Sequence, residues 1–384
     1  MGIFDSPQYI QNLLLEWFWE NGRYWIPWKL KKDGSVPLSG ESISPYGIWI
    51  AEVMLQQTQL KVVIPYWERW MKVFPTLTDL AEADLQNVLL VWQGLGYYSR
   101  AKRIHQSSKL LVDFIGNNSC LDPSSWPVDL DEWLSLPGIG RSTAGSILSS
   151  AFDIPEPILD GNVKRVFSRL LATEISPSKN EKKLWEFSSG LISDLSPRDF
   201  NQALMDLGAL ICTPKKPSCS SCPIQNSCIA YSKDDPSNFP KKEMIKINPC
   251  QQVGIGLVFN KNGELLIDQR LESSSMGGMW EFPGGKKNSN ESIEETIDRE
   301  IREEVGIVVK VGEKLLSFEH AYSHKKIHFT VHLCELKSGE AKPLSSQKLL
   351  WVAPEKLLDF PFPAANSKII SELYKHLGIR KKNL

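Results

Sequence analysis

The sequence predicts a chain in two parts: an all-α N-terminal two-thirds and an α/β C-terminal third. Two observations carry this. Up to about residue 230, apolar residues recur at helical spacing between Pro and Gly breaks. From Val253 the period changes to two, as half-buried strands require. Between the parts, Tyr231 to Gln252 is rich in Lys, Pro, Ser and Asp and has no core pattern, so it reads as a linker. The expected domains are therefore residues 1–230 and 253–384, joined by 231–252.

Composition narrows the function by exclusion. Residues 1–230 carry 21 Lys and Arg against 24 Asp and Glu, and the remainder carries 23 against 21. Bulk charge therefore does not advertise nucleic-acid binding, and any DNA site must be local. Candidate basic patches are Arg100, Lys102 and Arg103; Lys164, Arg165 and Arg169; and Lys215 with Lys216. No long uncharged apolar run occurs, and acidic Asp5 stands where a signal peptide is basic. A soluble cytoplasmic protein is expected. Four of the seven cysteines are bunched between Cys212 and Cys228, with Cys120, Cys250 and Cys334 scattered. Inside a cell, one tight cluster points to a metal rather than to disulfides.

Taken in order, residues 6–20 read as an amphipathic helix. Ser6 stands at the cap, Pro7 at the first turn, and Leu13, Leu14, Trp17 and Phe18 on the buried face. Lys29 to Ser44 is a polar loop. Tyr46 to Gln59 reads as a buried helix with one carboxylate, Glu52, among apolar residues. Desolvation raises the pKa of such a carboxyl, so it can hold a proton at neutral pH. Spacing alone leaves open a surface position for Glu52. Residues 61–74 and 79–92 read as helices, and Gly94 to Arg100 as a junction rich in glycine and tyrosine, followed by a helix over 100–112.

Leu134 to Gly145 reads as helix, tight hairpin, helix. Pro137 ends the first helix, and Gly138 and Gly140 permit positive φ angles and close approach by a partner. The next helix starts near Arg141, and its unpaired N–H groups form a phosphate site that needs no side chain. Such a site fixes position on DNA without reading sequence. Asp160 then precedes a helix over 161–171, where it caps free N–H groups and is expected to stay ionised. A phosphate clamp followed by a fixed carboxylate suits cleavage of a base from its sugar, because the cationic sugar is stabilised by a nearby anion.

Helices around 181–192 and 198–211 lead to Cys212-x6-Cys219-x2-Cys222-x5-Cys228. Four thiolates so close suit tetrahedral zinc or a [4Fe–4S] cluster, and spacing alone does not decide. In the C-terminal third, Val253–Phe259 and Glu264–Asp268 read as strands around an Asn260–Gly263 turn. Glu300, Glu303 and Glu304 share one face of a helix, where crowded carboxylates invite a cation such as Mg²⁺.

The glycine hairpin with its following aspartate resembles the helix-hairpin-helix DNA glycosylases, the superfamily of endonuclease III. The run around Glu52 and the cysteine spacing narrow the resemblance to adenine DNA glycosylases of the MutY type, from about Trp25 to Ile229. That resemblance implies a six-helix barrel over about 30–140 and a cluster lobe over about 1–29 and 141–230. It implies double-stranded DNA bearing adenine opposite 8-oxoguanine or guanine as the partner, a monomer, and a [4Fe–4S] cluster on Cys212, Cys219, Cys222 and Cys228. Glu52 would be the general acid, and Asp160, held by Asn162, would stabilise the sugar cation. Gln56 and Gln57 would enter the duplex, Tyr97 would wedge beside the 8-oxoguanine, and Gly138, Gly140, Ser142 and Lys164 would lie along the DNA. Bifunctional members carry lysine at the position of Ser142. Serine cannot form a Schiff base, so the resemblance implies a monofunctional enzyme, with trapping of the abasic sugar by Lys164 as a side reaction.

The stretch from Gly285 through Glu291, Arg299, Glu300, Glu303 and Glu304 to Gly306 resembles a complete Nudix box of MutT-like hydrolases. MutY proteins usually carry a degraded box. The C-terminal third is therefore expected to be a Nudix-like α/β domain that recognises 8-oxoguanine through Tyr322, Ser323 and His324. Mg²⁺-dependent nucleotide diphosphate hydrolysis is a second expected use. Three other readings remain: an endonuclease III-like lyase, a Nudix pyrophosphatase with a DNA-binding appendage, and a non-catalytic mismatch binder. Ser142 argues against the first.

Overall fold

The structure is a computed structural model that describes residues 6–116, 122–241, 250–322 and 325–379. Cys120 and residues 242–249 of the expected linker lie outside these residues, as do Ser323 and His324 of the expected recognition loop. The chain forms two compact units, Met1–Glu82 with Arg103–Ile245, and Ala83–Lys102 with Lys246–Leu384. Residues 83–102 group with the C-terminal residues, and the side chain of Gln86 bonds there to Gly278 and Trp280.

The first unit is helical. It starts with α1 (Pro7–Asn21), α2 (Pro45–Leu55), α3 (Leu60–Val73) and α4 (Leu77–Glu82). The segment α5 (Leu85–Trp92) belongs to the second unit, and α6 (Ser99–Ile115) begins there. Then come α7 (Leu130–Leu134), α8 (Arg141–Phe152), α9 (Gly161–Leu170), α10 (Glu181–Leu191), α11 (Pro197–Leu210) and α12 (Ile229–Ser232).

Pro7 opens α1 as expected, but the Ser6 side chain makes no capping bond. Ile10, Leu14 and Phe18 recur every four residues and bury one face of α1 against Val163 and Phe167 of α9 and Leu207 of α11. Leu13 and Trp17 lie partly buried at the edge of that core. Helix α2 is buried along almost its whole length, and it stops at Leu55, short of the Gln59 that the sequence suggested. The backbone turns away at Gln56, whose ψ is 108°, and Gln57 follows with a φ of 60° in the left-handed region. Similarly, the helix expected over 79–92 is cut in two. Asp84 leaves the helical conformation and caps α5 by accepting a bond from Gln86 N at 2.6 Å.

The second unit holds a seven-stranded mixed sheet. Its strands are β1 (Gln251–Phe259), β2 (Leu265–Gln269), β3 (Trp280–Glu281), β4 (Gly284–Lys286), β5 (Val308–Ala321), β6 (Lys326–Ser338) and β7 (Lys348–Val352). The main path runs β3-β2-β1-β6-β5, with β4 on β1 and β7 on β2. Only β1 and β6 pair in parallel, in unbroken register from Gln251 against Ile327 to Phe259 against Glu335. Period two sorts the side chains to opposite faces. Ile255, Leu257, Leu265 and Ile267 pack with Ile369 and Leu373 of α14 (Ala364–Leu377). Val258 and Leu266 pack with Ile297, Ile301 and Val305 of α13 (Ile293–Val305). Gly256 lets α13 approach, because a Cβ there would stand 2.6 Å from Ile301 Cδ1.

Helix α13 starts with a reciprocal cap. Ser292 Oγ accepts from Glu295 N at 3.1 Å, and Glu295 Oε2 accepts from Ser292 N at 2.7 Å. Ser292→Ala is expected to cost the second unit about 1 kcal/mol. A urea titration should show its transition at lower denaturant with an unchanged slope.

Candidate active site

A cavity of about 1110 Å³ opens in the first unit. Its wall includes Glu52 from α2, Ser142 from α8, and Asp160 and Asn162 at the start of α9. In sequence Glu52 stands 90 residues before Ser142 and 108 before Asp160 (142 − 52 and 160 − 52), and the helical packing brings them to one hollow.

Burial pushes the Glu52 carboxyl up to about 7, and the charge of Asp160 adds to this. The Ser146 hydroxyl and the Lys29 ammonium pull the other way. Glu52 thus stands among buried groups and not on an outer polar face. Asp160 accepts from Val163 N at 2.7 Å and from Asn162 Nδ2 at 3.4 Å. The expectation that these cap bonds dominate its ionisation is corrected. Burial wins and holds the Asp160 carboxyl above its ordinary value, although backbone N–H groups, Arg165 and Asn162 oppose it.

In the hairpin, Gly138 has a φ of 83° and a Cβ there would lie 2.6 Å from Arg103 Cδ, so only glycine fits. Gly140 differs from expectation. Its φ is −99°, an ordinary extended value, and it caps α8. Ser142 carries a hydroxyl that accepts from Leu159 N at 3.0 Å, tying α8 to the segment that delivers Asp160. Gln56 Nε2 donates to Thr143 Oγ1 at 3.3 Å, and Gln56 and Gln57 both line the cavity. Lys164 does not line it. Its Nζ is held by Glu181 Oε1 at 2.7 Å.

Two arginines that the sequence offered as a basic patch are buried structural groups. Arg165 donates to Cys212 O at 2.8 Å, Gly208 O at 2.6 Å and Asn162 Oδ1 at 2.8 Å. Arg169 donates to Cys212 Sγ at 3.2 Å and to Phe239 O, Thr213 O and Pro214 O. Helix α9 is thereby bonded to Asp160's neighbour at one end and to the cysteine loop at the other. Arg100, from another offered patch, is buried too. Lys29 is a wall residue that sequence reading missed. Burial pushes its amine down to about 8, and its Nζ lies 3.7 Å from Asp206 Oδ1. No spacing in the sequence links Lys29 to Glu52, so no local signal could have found it.

Cys212, Cys219, Cys222 and Cys228 form no disulfide and surround a hollow of about 30 Å³ beside Arg169. That is roughly twice the room one water needs. No set of three or more His, Cys, Asp or Glu among the described residues closes to hold a single ion. Burial, then mutual repulsion, pushes the Cys219 thiol up, and both act on Cys222 and Cys228 as well. A bound cationic metal centre reverses that preference, so the four sulfurs suit metal ligation.

In the second unit, Tyr97 has a φ of 47° and an exposed ring. Tyr322 stacks edge-on with His320, ring centroids 4.7 Å apart. Among the Nudix-box carboxylates, Arg299 bonds to Glu291, Glu300 and Glu303 at 2.7 to 3.0 Å. Glu304 turns inward to accept from Gly284 N at 3.0 Å, and burial pushes it up to about 7. The expected set of three is therefore split, with an arginine already neutralising one side.

Residues 50–189 match the family of HhH-GPD superfamily base excision DNA repair proteins, residues 212–228 the iron-sulfur binding domain of endonuclease III, and residues 254–372 the NUDIX domain. Fold, hairpin and cysteine loop together define a base-excision DNA glycosylase of the helix-hairpin-helix class that carries an iron–sulfur cluster. The adenine DNA glycosylase of Buchnera aphidicola from Schizaphis graminum is 33% identical, across 95% of this chain and 98% of that one. The human adenine DNA glycosylase is 32% identical across 93% of this chain and 72% of its own. A solved thermostable thymine-DNA glycosylase superposes with a TM-score of 0.50 at 25% identity, covering 59% of this chain and 97% of that one. The chain belongs to the adenine DNA glycosylase family.

The raised Glu52 carboxyl has a consequence for stability. Between its ordinary value of 4.5 and about 7, the folded chain binds more protons at Glu52 than the unfolded chain does. Stability contributed by this site is therefore lost as pH rises through that window. Above it, the penalty is on the order of 2 kcal/mol, discounted for access to cavity water. Glu52→Gln should raise the melting temperature at pH 8 and leave it nearly unchanged at pH 4.5, as calorimetry of the cluster-bearing protein would show.

Proposed function

We propose that the protein hydrolyses the N-glycosidic bond of adenine paired with 8-oxoguanine, or with guanine, in double-stranded DNA and leaves the strand uncut. The observation that carries this reading is the presence of Glu52 and Asp160 in one cavity with different protonation tasks. The adenine is turned out of the helix into the cavity, since its sugar bond is out of reach inside a duplex. A carboxyl near 7 is protonated in about half of the molecules at pH 7, so Glu52 can give its proton to a ring nitrogen of the departing base. Positive charge then grows on the sugar. A cation beside Asp160 favours its ionised form and offsets the burial that otherwise raises it. Asn162 holds the carboxylate in place, and a water adds to the sugar carbon.

DNA contacts follow the same reading. The hairpin at Gly138 and Gly140 offers the backbone N–H groups of the start of α8 to a phosphate. Gln56 and Gln57 fill the gap left by the adenine, and Tyr97 stacks beside the 8-oxoguanine. Ser142 offers no amine, and Lys164 is tied to Glu181, which supports a monofunctional enzyme. Cys212, Cys219, Cys222 and Cys228 would hold a [4Fe–4S] cluster, which supplies structural cross-linking to the loop. The second unit recognises 8-oxoguanine through Tyr322, Ser323 and His324. Its Arg299 is shared among Glu291, Glu300 and Glu303, and Glu304 is drawn inward to Gly284, so recognition is placed ahead of Mg²⁺-dependent nucleotide hydrolysis at Glu300, Glu303 and Glu304. The protein would act as a monomer in the cytoplasm, at the nucleoid in a bacterium.

A single-turnover assay on a duplex with adenine opposite 8-oxoguanine tests the reading. Strand breaks should appear only after alkali. Glu52→Gln should slow excision at least about 100-fold. Because the active form is protonated Glu52, the rate should fall as pH rises through about 7. Breaks without alkali, or a rate that climbs across that range, would sink the proposal.

A further inference from the structure

We infer that Gln86 and Tyr98 are positioning residues that fix the Tyr97 turn to the C-terminal sheet, so that Tyr97 and the second unit act on DNA as one body. The inference rests on the reading of Tyr97 as the wedge. Tyr97 sits in a turn that an L-residue adopts only when its surroundings impose it: its φ is 47°, between Gly94 at 103° and Gly96 at 72°. Its ring is exposed on one side and carries the Arg100 guanidinium 5.5 Å from its centroid. The turn is shaped by its neighbours. Trp92 Nε1 donates to Gly96 O at 3.0 Å, and Arg100 Nη2 donates to Leu95 O and Gly96 O at 3.2 Å.

Two side chains on either flank of the turn, Gln86 and Tyr98, are anchored to residues far along the chain. Gln86 spends both ends of its amide. Its Nε2 donates to Gly278 O at 2.9 Å, and its Oε1 accepts from Trp280 Nε1 at 3.0 Å. Trp280 is itself buried on β3, and its backbone N donates to Pro361 O at 2.9 Å. Tyr98, also buried, donates its hydroxyl to Phe362 O at 3.4 Å and accepts from Gly94 N at 3.4 Å. The turn is thus bracketed by two side chains, one on each flank, that both end on the sheet side of the second unit. Neither touches the cavity that holds Glu52. Loosening them should disturb how the damaged strand is held and leave bond cleavage alone.

The test uses the full-length protein with its cluster, as Gln86→Leu and Tyr98→Phe. Amide exchange over 92–98 should rise about tenfold while exchange over 265–269 stays fixed, showing that the sheet is intact. In single-turnover excision of adenine opposite 8-oxoguanine, half-saturation should move up roughly two- to tenfold, the weight of one or two neutral hydrogen bonds, with the maximal rate unchanged. In a Tyr97→Ala background, the same substitutions should add almost nothing, because their effect runs through that ring. Unchanged exchange would overturn the anchoring and leave the wedge reading standing. Losses that add in full to those of Tyr97→Ala would overturn the route through Tyr97. Faster exchange with Tyr97→Ala itself harmless would show that the wedge reading had failed, and the functional claim with it.

Discussion

One cavity must keep one carboxyl protonated and let another become charged, and much of the first unit answers that requirement. Two acids in the same low-dielectric hollow repel each other when both ionise. The charge of Asp160 is among the causes that lift Glu52 to about 7. What separates them is their surroundings. Glu52 sits among apolar residues of α2 and receives no backbone N–H. Asp160 sits at a helix start with Val163 N and Asn162 Nδ2 turned toward it. The separation is incomplete in the free protein, since burial still raises both. It is completed by the substrate: a cationic sugar beside Asp160 and a basic ring nitrogen beside Glu52 each favour the state that the reaction needs.

Helix α9 connects this chemistry to the cysteine loop. Asp160 caps it, Asn162 stands on its first turn, and Arg165 and Arg169 reach from it to Cys212. Arg165 is the shared member, because one guanidinium group bonds both Asn162 and the loop backbone. A buried guanidinium is costly unless its donors are satisfied. Four donors on Arg165 and Arg169 end on backbone carbonyls of the 208–214 stretch. The loop is therefore the partner that makes these buried charges tolerable, and the charges give the loop its fixed course. Removing either leaves the other unsatisfied.

The parts of this arrangement that were legible in the sequence are those set by local rules. Pro7, the Gly138 turn, the Asp160 cap and the change to period two at the start of β1 each follow from a few neighbouring residues. So does the cysteine spacing, which limits what the loop can hold. The illegible parts depend on long-range packing. Arg165 and Arg169 looked like half of a DNA-binding patch, because charge and helical spacing are the same for a solvated face and a buried network. Lys29 had no pattern at all, since its relation to Glu52 arises only when α2 and the 27–29 turn close on one hollow. Helix α2 ends at Leu55, where Gln56 turns the backbone away, and no local signal marks that point. The Nudix box shows the limit of motif reading most directly. Its residues are all present, but spacing does not show that Arg299 bonds Glu291, Glu300 and Glu303 while Glu304 turns inward to Gly284.

The burial of the arginines also bears on how a chain with so little positive charge can hold DNA. Arg100, Arg165 and Arg169 are buried inside the protein and cannot also neutralise phosphate. Exposed Lys61 still lines the cavity, but the donors aimed past a glycine that no side chain could replace are the N–H groups at the start of α8. Such donors carry only partial charge and displace few counterions, so they hold a phosphate by geometry more than by attraction at a distance. That suits an enzyme whose task is to sample many base pairs and stay only where a base can be turned out. Strong non-specific attraction would hold it everywhere equally. A weak, well-shaped clamp leaves the decision to the groups that meet the base itself.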